Sequence, residues 1–549
     1  MSEANSKQAS DAYAQKTGDE LVGMLREKDA QISKLLHELE VLRKMHFGPR
    51  SEKSKKPLDP KALLPFPGIA ELLERVAQAK KEREAAAAIQ ALTAATATAE
   101  ASPTAPAAAA PTKSRGPRGD FPDHLPRKVT RIEIPEDQRR AACGKVKKPI
   151  GVEVTQELEH VRITYVHRIE TVKYACADHP EEGVQKAPGR TPVIEGGLLG
   201  PGFLAQLIVD HFGDHMPYAR LERKFGHEGI DLARSVLCRS VLRCGELLAP
   251  LFEALKKEVL GAFLVQADET PVIVRNGNKA GRKRSYIWIY RSDDGNCLFQ
   301  LCAGRGNEWP VAILGNYRGF VQSDAYAGYD ILFRHGNDRI PIGCWSHLRR
   351  KFEDAANSAP ELHAEIDAML KLLFKLEADA KDHSAESRQK WRDDLVRPLL
   401  AQIKDWLDAK IMAVLPKSPM GEAIKHARKH WVDFTNFLRD GRIKDITNNA
   451  AERALRQVAV GRKNWMFIGH EDAGPAAGTL MSLIQTCREH RVNPIDYFRD
   501  VLVRISEPGS SARIRDLLPA TWKSAAGAAQ RQADARLAIA NVVKSLVYG

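Results

Sequence analysis

The chain predicts a multidomain α/β protein, and three observations carry that prediction. Its 549 residues exceed one ordinary domain, so three or four parts are expected, and a hydrophobic content of 43% is enough to fill their cores. Three β-type runs lie between residues 263 and 302, followed by a helical stretch and another strand-like run ending at Asp324. From 360 to 440 the pattern becomes almost wholly helical, rich in Leu, Ala, Lys and Glu.

Taken in order, residues 1–18 form a polar tail whose composition predicts disorder. A helix is expected over 19–46. Positions 25, 28, 32, 35, 39 and 42 follow the three-four spacing of a coiled-coil seam, which only Lys28 interrupts. The seam predicts self-association into a homo-oligomer, with a helix packed on its own domain as the alternative. Residues 47–127 read as a second helical run followed by a basic Ala/Pro-rich linker. Over 128–193 the pattern changes to short alternating strands, including 152–158 and 161–174. Residues 194–260 are helical. A helix opening after Pro217, a turn at 226–230 and a helix carrying Arg234, Arg239 and Arg243 fit either a helix-turn-helix or an ordinary helical hairpin.

The α/β core is expected over 261–358 and again over 447–505, separated by a helical insertion at 359–446 and followed by an extension at 506–549. Within the insertion the spacing predicts helices near 391–412 and 420–438. A strand over 340–345 leads into a helix whose His347, Arg349, Arg350 and Lys351 are candidate phosphate contacts; a wet basic helix face is the alternative. Cys344 and His347 have CxxH spacing but no partner pair nearby in sequence.

A formal net charge of +13 and a pI of about 9.2 favour a polyanionic partner. Eight scattered cysteines form no disulfide framework, so reduced thiols in a cytoplasmic, nucleoid-associated protein are expected. The N-terminus lacks an apolar signal core, and no window approaches a membrane span.

Acidic residues inside strands are costly unless they bind something. Asp268 sits inside a β-type run, and Asp324 ends another. The third candidate is Glu452, in the stretch TNNAAERALRQVAVGRKNWMFIG over 447–469. Thr447 or Asn448 can cap that helix, which places Glu452 in its first or second turn, with Arg453 and Arg456 just beyond. A solvated helix with i,i+3 ion pairs is the competing reading. Two carboxylates on strands and one on a later helix suit a two-metal phosphoryl-transfer site. The separations of 56 and 128 residues leave the geometry to the fold. Glu269 should face away from Asp268 by strand alternation. Arg462 and Lys463 fall in an expected basic turn over 461–465, placed for phosphate contact, with a plain turn around a buried Trp465 as the alternative.

The pieces ADET, QSDAY, CWSHLRRKF and NNAAERALRQVAVGRKNWMFIG resemble the DDE transposases of the insertion sequence 66 family, over about residues 20–524. The resemblance implies a ribonuclease H-like core and a catalytic triad of Asp268, Asp324 and Glu452 holding Mg2+ or Mn2+. It implies a leucine-zipper-like N-terminus and a DNA-binding region ahead of the core. It also implies two paired-cysteine zinc knuckles within 128–193, and here the chain departs. Cys143, Cys176 and His179 are candidate ligands for a structural Zn2+, but Arg140 stands three residues before Cys143 and cannot ligate. Glu136, Asp137 or Asp178 is left to supply the fourth ligand, or the site is lost. The implied activity is cleavage at element ends and strand transfer into target DNA. The implied partners are double-stranded DNA, further copies of the chain and accessory element-encoded proteins. The alternatives are a catalytically inactive DNA-binding regulator and a nuclease without strand transfer.

Overall fold

The structure is a computed structural model that describes residues 71, 74–79, 81, 164–175, 184–186, 191–275, 281–334, 338–507 and 510–524. The coiled-coil seam at 25–42, the linker, and the zinc candidates Cys143, Cys176 and His179 lie outside these residues. The chain divides into two compact units, one of 86–189 with 537–549 and one of the remainder.

In the smaller unit, strands β1 (Lys173–Ala175) and β2 (Val184–Lys186) pair antiparallel with Tyr174 opposite Gln185. The strand expected over 161–174 shortens to this. Residues 164–172 have no regular structure, and Tyr165, Val166, Ile169 and Val172 are exposed. Alternation makes a strand only where one face has something to cover.

The larger unit is organised on a five-stranded mixed sheet in the order β5-β4-β3-β6-β7. Its strands are β3 (Leu264–Arg275), β4 (Arg282–Ser292), β5 (Cys297–Cys302), β6 (Gly319–Ser323) and β7 (Arg339–Gly343). β3, β4 and β5 form an antiparallel meander, while β6 and β7 run parallel to β3. The first four residues of central β3, Leu264–Ala267, are all buried because both faces of the sheet are covered.

Helices α1 (Pro201–Ile208), α2 (Tyr218–Gly226), α3 (Arg234–Leu247) and α4 (Ala249–Leu260) precede the sheet. α5 (Glu308–Leu314) joins β5 to β6, and α6 (Asp330–Arg334) joins β6 to β7. α7 (Trp345–Asp354) leads to the helical block of α8 (Pro360–Asp379), α9 (Ala385–Trp391), α10 (Arg397–Lys410), α11 (Pro419–Lys429) and α12 (Trp431–Thr435). The chain then returns to the sheet with α13 (Asn449–Trp465), α14 (Ala473–Glu489), α15 (Pro494–Ser506) and α16 (Pro519–Ser524).

α13 lies on β3 and β4, with Ala451, Ala454, Leu455 and Val458 buried. α14 is buried nearly all round, between β5 and α3. Glycines set that close approach. A Cβ on Gly478 would stand 2.6 Å from Phe299 O, and one on Gly245 would stand 2.6 Å from Ala476 Cβ. A second core joins Ile342 and Trp345 to the helical block.

Neither of the two long helices expected in the block is a regular α-helix throughout. The first passes through a π turn at Arg392–Val396. Pro398 lacks the N–H that would bond to the carbonyl of Asp394, and Arg75 Nη2 donates to that carbonyl instead at 2.6 Å. The second stops at His430, and α12 continues into a 3-10 turn at Asn436–Arg439. Among the described residues no helix is long and apolar enough to cross a membrane.

Candidate functional site

Three stretches of chain meet at the middle of the sheet. β3 carries Asp268. β6 ends at Ser323, so Asp324 is the first residue past its end, followed by Ala325 at φ 62°. A non-glycine residue in the left-handed region is strained, and such strain gathers at functional sites. Tyr326 N–H donates to Asp324 Oδ1 at 3.0 Å and closes this bend. The third stretch, 445–448, enters α13 and brings Glu452 in the helix's first turn.

Buried amides lace 445–448 into the sheet. Gln266 Nε2 donates to Gln322 Oε1 at 2.7 Å and to Thr447 O at 3.2 Å. Gln322 Nε2 donates to Asp445 O at 3.1 Å, and Asn448 Nδ2 donates to Ala267 O at 3.0 Å. Trp345 N–H donates to Ile446 O at 3.1 Å. The expected side-chain cap of α13 is therefore absent. Asn448 spends its amide on β3, and the Thr447 hydroxyl donates to Asp445 Oδ1 at 2.6 Å. The sequence carried the residue types for a cap but no sign that tertiary bonds would claim them.

The electrostatics of the site are those of crowded carboxylates. Burial pushes the Asp268 carboxyl well above the usual range, and the charges of Glu269, Asp324 and Glu452 push it further. Glu269, expected to face away, has hydrogen-bond partners of its own, although its charge still acts on Asp268. It accepts Arg305 Nε at 2.6 Å and the Tyr329 hydroxyl at 2.9 Å. Burial raises its pKa, and Arg305 pulls it back.

Among the described residues, the one group of three metal-ligating side chains with ligand atoms all within 4.8 Å of each other is Cys344, His347 and Glu452. His347 Nδ1 faces Glu452 Oε1 at 3.6 Å. Asp268 feels the charges of Asp324 and Glu452, yet neither aspartate is drawn into that cluster. The CxxH pair thus finds its partner more than 100 residues along the chain. Burial pushes the Cys344 thiol up to about 12.

The basic candidates divide. Arg349 is buried, with its charge engaged by Glu353 at 3.0 Å and Asp367 at 3.7 Å. Arg462 donates to Thr270 Oγ1 at 2.8 Å and Pro271 O at 2.6 Å, fastening α13 to β3. The expected turn at 461–465 is instead the last part of α13, which stops at Met466 with φ 62°. Helix propensity continues through Arg462 and Lys463, and Gly461 admits the Trp465 ring. Arg234 pairs with Glu222 at 2.8 Å across the α2–α3 turn. Arg239, Arg350, Lys351, Arg453, Arg456 and Lys463 are exposed.

Comparison with known proteins decides the family. The family model described as "Transposase IS66 family" matches residues 196–476, a stretch that contains all three carboxylates. The chain belongs to the IS66 transposase family. Two further models of the same set match at either side, "Transposase C of IS166 homeodomain" over 34–130 and "IS66 C-terminal element" over 482–520. Relatives in Sinorhizobium fredii (strain NBRC 101917 / NGR234) carry only the description uncharacterized protein. One, y4hP, is 31% identical over 89% of this chain and 89% of its own length. Another, y4qI, is 29% identical over 75% of this chain and 79% of its own length. In this IS66 chain, the features that sequence reading missed are Gln266, Gln322 and Asn448 as anchors and the Arg305–Glu269–Tyr329 network. The signal for Gln266 and Gln322 was a polar side chain inside an otherwise apolar run; Asn448, Arg305 and Tyr329 carried none.

Proposed function

We propose that this chain is a DDE-type transposase that cleaves DNA at element ends and joins them to a target. The observation that carries this reading is that hydrogen bonds of Gln266, Gln322 and Asn448 draw together the stretches bearing Asp268, Asp324 and Glu452, so that the Asp268 carboxyl feels the other two charges, a setting that favours a cation. Asp268 and Asp324 would share one divalent ion, and Glu452 would complete a second position. Two Mg2+ or Mn2+ ions there would supply the nucleophile's deprotonation and leaving-group stabilisation without a lysine or histidine base. The protein's own part is to hold the carboxylates on a rigid sheet and to seat DNA.

A ribonuclease H-like core is the fold we infer. Its support is the sheet, a three-stranded meander followed by two parallel strands on the far side of the first. The division into core, helical insertion at 359–446 and second core segment goes with this reading. So do self-association through the N-terminal seam and accessory element-encoded partners. The exposed side chains of Arg234, Arg239, Arg350, Lys351, Arg453, Arg456 and Lys463 are the phosphate contacts we propose.

The test compares wild type, Glu452→Gln and Glu471→Gln in end binding, end cleavage and joining with Mg2+ or Mn2+. Glu471 lies outside the carboxylate group and pairs with Lys283 at the surface. Glu452→Gln should keep end binding and lose cleavage by about 100- to 1,000-fold, while Glu471→Gln behaves as wild type. Near-normal cleavage by Glu452→Gln would remove the residue from the site. Hydrolysis without joining by wild type would favour a nuclease, and end binding without either step a regulator.

A further inference from the structure

We propose that Cys344, His347 and Glu452 form a second cation site, fitted to Zn2+ rather than Mg2+, and that an ion there takes Glu452 away from the two aspartates. The three ligands come from two helix starts that are bonded to each other. Cys344 directly precedes α7, His347 is in its first turn, and Glu452 is in the first turn of α13. Asn448 N–H donates to Cys344 Sγ at 3.2 Å, and Cys344 N–H donates to Ser323 O at 3.1 Å. Amide donors to a ligating sulfur are the kind of support that holds a metal ligand in place.

The distances suit a small tetrahedral ion. Bond lengths of about 2.0–2.3 Å require ligand atoms about 3.3–3.8 Å apart. The His347–Glu452 edge is already 3.6 Å, too long for a hydrogen bond. Neither His347 Nδ1 nor Glu452 Oε1 has a hydrogen-bond partner, although both atoms are buried. With all three ligand atoms inside 4.8 Å, the thiol edges need to close by about 1 Å at most, which side-chain rotation supplies. Thiol plus imidazole selects against Mg2+, which prefers oxygen ligands and octahedral geometry. Cys344 is buried, whereas the His347 and Glu452 side chains are 25% and 27% exposed. Three protein ligands leave the fourth tetrahedral position to a water or another donor.

Binding stands on these three side chains alone; the competition for Glu452 rests on the function proposed above. The experiment uses the full chain carrying Cys143→Ser and Cys176→Ser, so that those thiols cannot contribute. Co2+ is titrated in as a spectroscopic stand-in and displaced with Zn2+. We expect a thiolate-to-cobalt charge-transfer band that saturates at one equivalent, disappears on Zn2+ addition, and is lost in Cys344→Ser and weakened at least 10-fold in affinity in His347→Ala. Serine keeps an acceptor for Asn448 N–H, and an unchanged circular dichroism spectrum verifies that the variant is folded. A band that survives Cys344→Ser, or no band in the parent, overturns the site. In the second arm, Zn2+ added against excess Mg2+ should inhibit end cleavage, and Cys344→Ser should need at least 10-fold more Zn2+ for the same inhibition. Cobalt binding through Cys344 together with zinc-insensitive cleavage would overturn the competition. Absence of Mg2+-dependent cleavage in wild type would refute the proposed function and leave the cobalt result to decide the site.

Discussion

Asn448→Ala tests whether the amide lacing sets the position of Glu452. Asn448 is fully buried, and its side chain donates one hydrogen bond, to Ala267 O at 3.0 Å. Removing a buried neutral donor costs about 1–3 kcal/mol. Its Oδ1 has no partner, so the substitution also relieves an existing penalty, which places the loss at about 1–2 kcal/mol. The effect on chemistry should be larger than that. Glu452 N–H bonds to Asn448 O at 3.2 Å, one helical turn away, so a loosened Asn448 shifts the carboxylate directly. A displacement of about 1 Å at a reacting centre is worth about 100-fold in rate, equivalent to roughly 2.7 kcal/mol of barrier. The assays are urea denaturation and Mg2+-dependent end cleavage, with end binding as control. The expected result is a folded protein, modestly destabilised, binding ends normally and cleaving about 100-fold more slowly. Wild-type cleavage combined with a 1–2 kcal/mol loss of stability would refute the reasoning. It would mean that the packing of Ala451, Ala454, Leu455 and Val458 on the sheet suffices to place Glu452.

Two further predictions concern stability. Arg392 is fully buried, donates to both Glu377 oxygens at 3.0 and 2.7 Å, and reaches the carbonyls of Phe437 and Ile443. Arg392→Met leaves that carboxylate buried and unpaired, so chemical denaturation should register a loss of about 3–5 kcal/mol, with much of it recovered by adding Glu377→Leu. His211 is buried against Tyr218 and donates Nδ1–H to Met216 O at 2.8 Å; burial lowers its pKa from 6.5 to about 4. Below its unfolded pKa the unfolded chain binds a proton that the folded chain refuses, so stability is present at neutral pH and lost as pH falls from 6.5 toward 4. Between pH 7 and pH 5 the loss from this one group is about 2 kcal/mol, and denaturation of His211→Gln should show a correspondingly weaker acid dependence.

The local signals in the chain were strong where a short segment contains its own cause. The meander of β3, β4 and β5 was legible because β-type runs are bounded by Gly, Asn and Asp turns. The helix of Glu452 was legible because Ala, Leu, Arg and Gln all favour it, and the acids in β-type runs stood out because burial makes them costly. By itself, then, the sequence determined the α/β class, the three carboxylates worth following and the family whose motifs they sit in. Tertiary structure decided the rest. It turned Asn448 from a cap into an anchor, withdrew Arg349 and Arg462 from the exposed basic set, and brought Glu452 beside Cys344 and His347. Each of those outcomes depends on a partner brought from tens to hundreds of residues away. Local propensity and periodicity report on the next few residues; a buried polar group is satisfied by whatever the fold brings within about 3 Å.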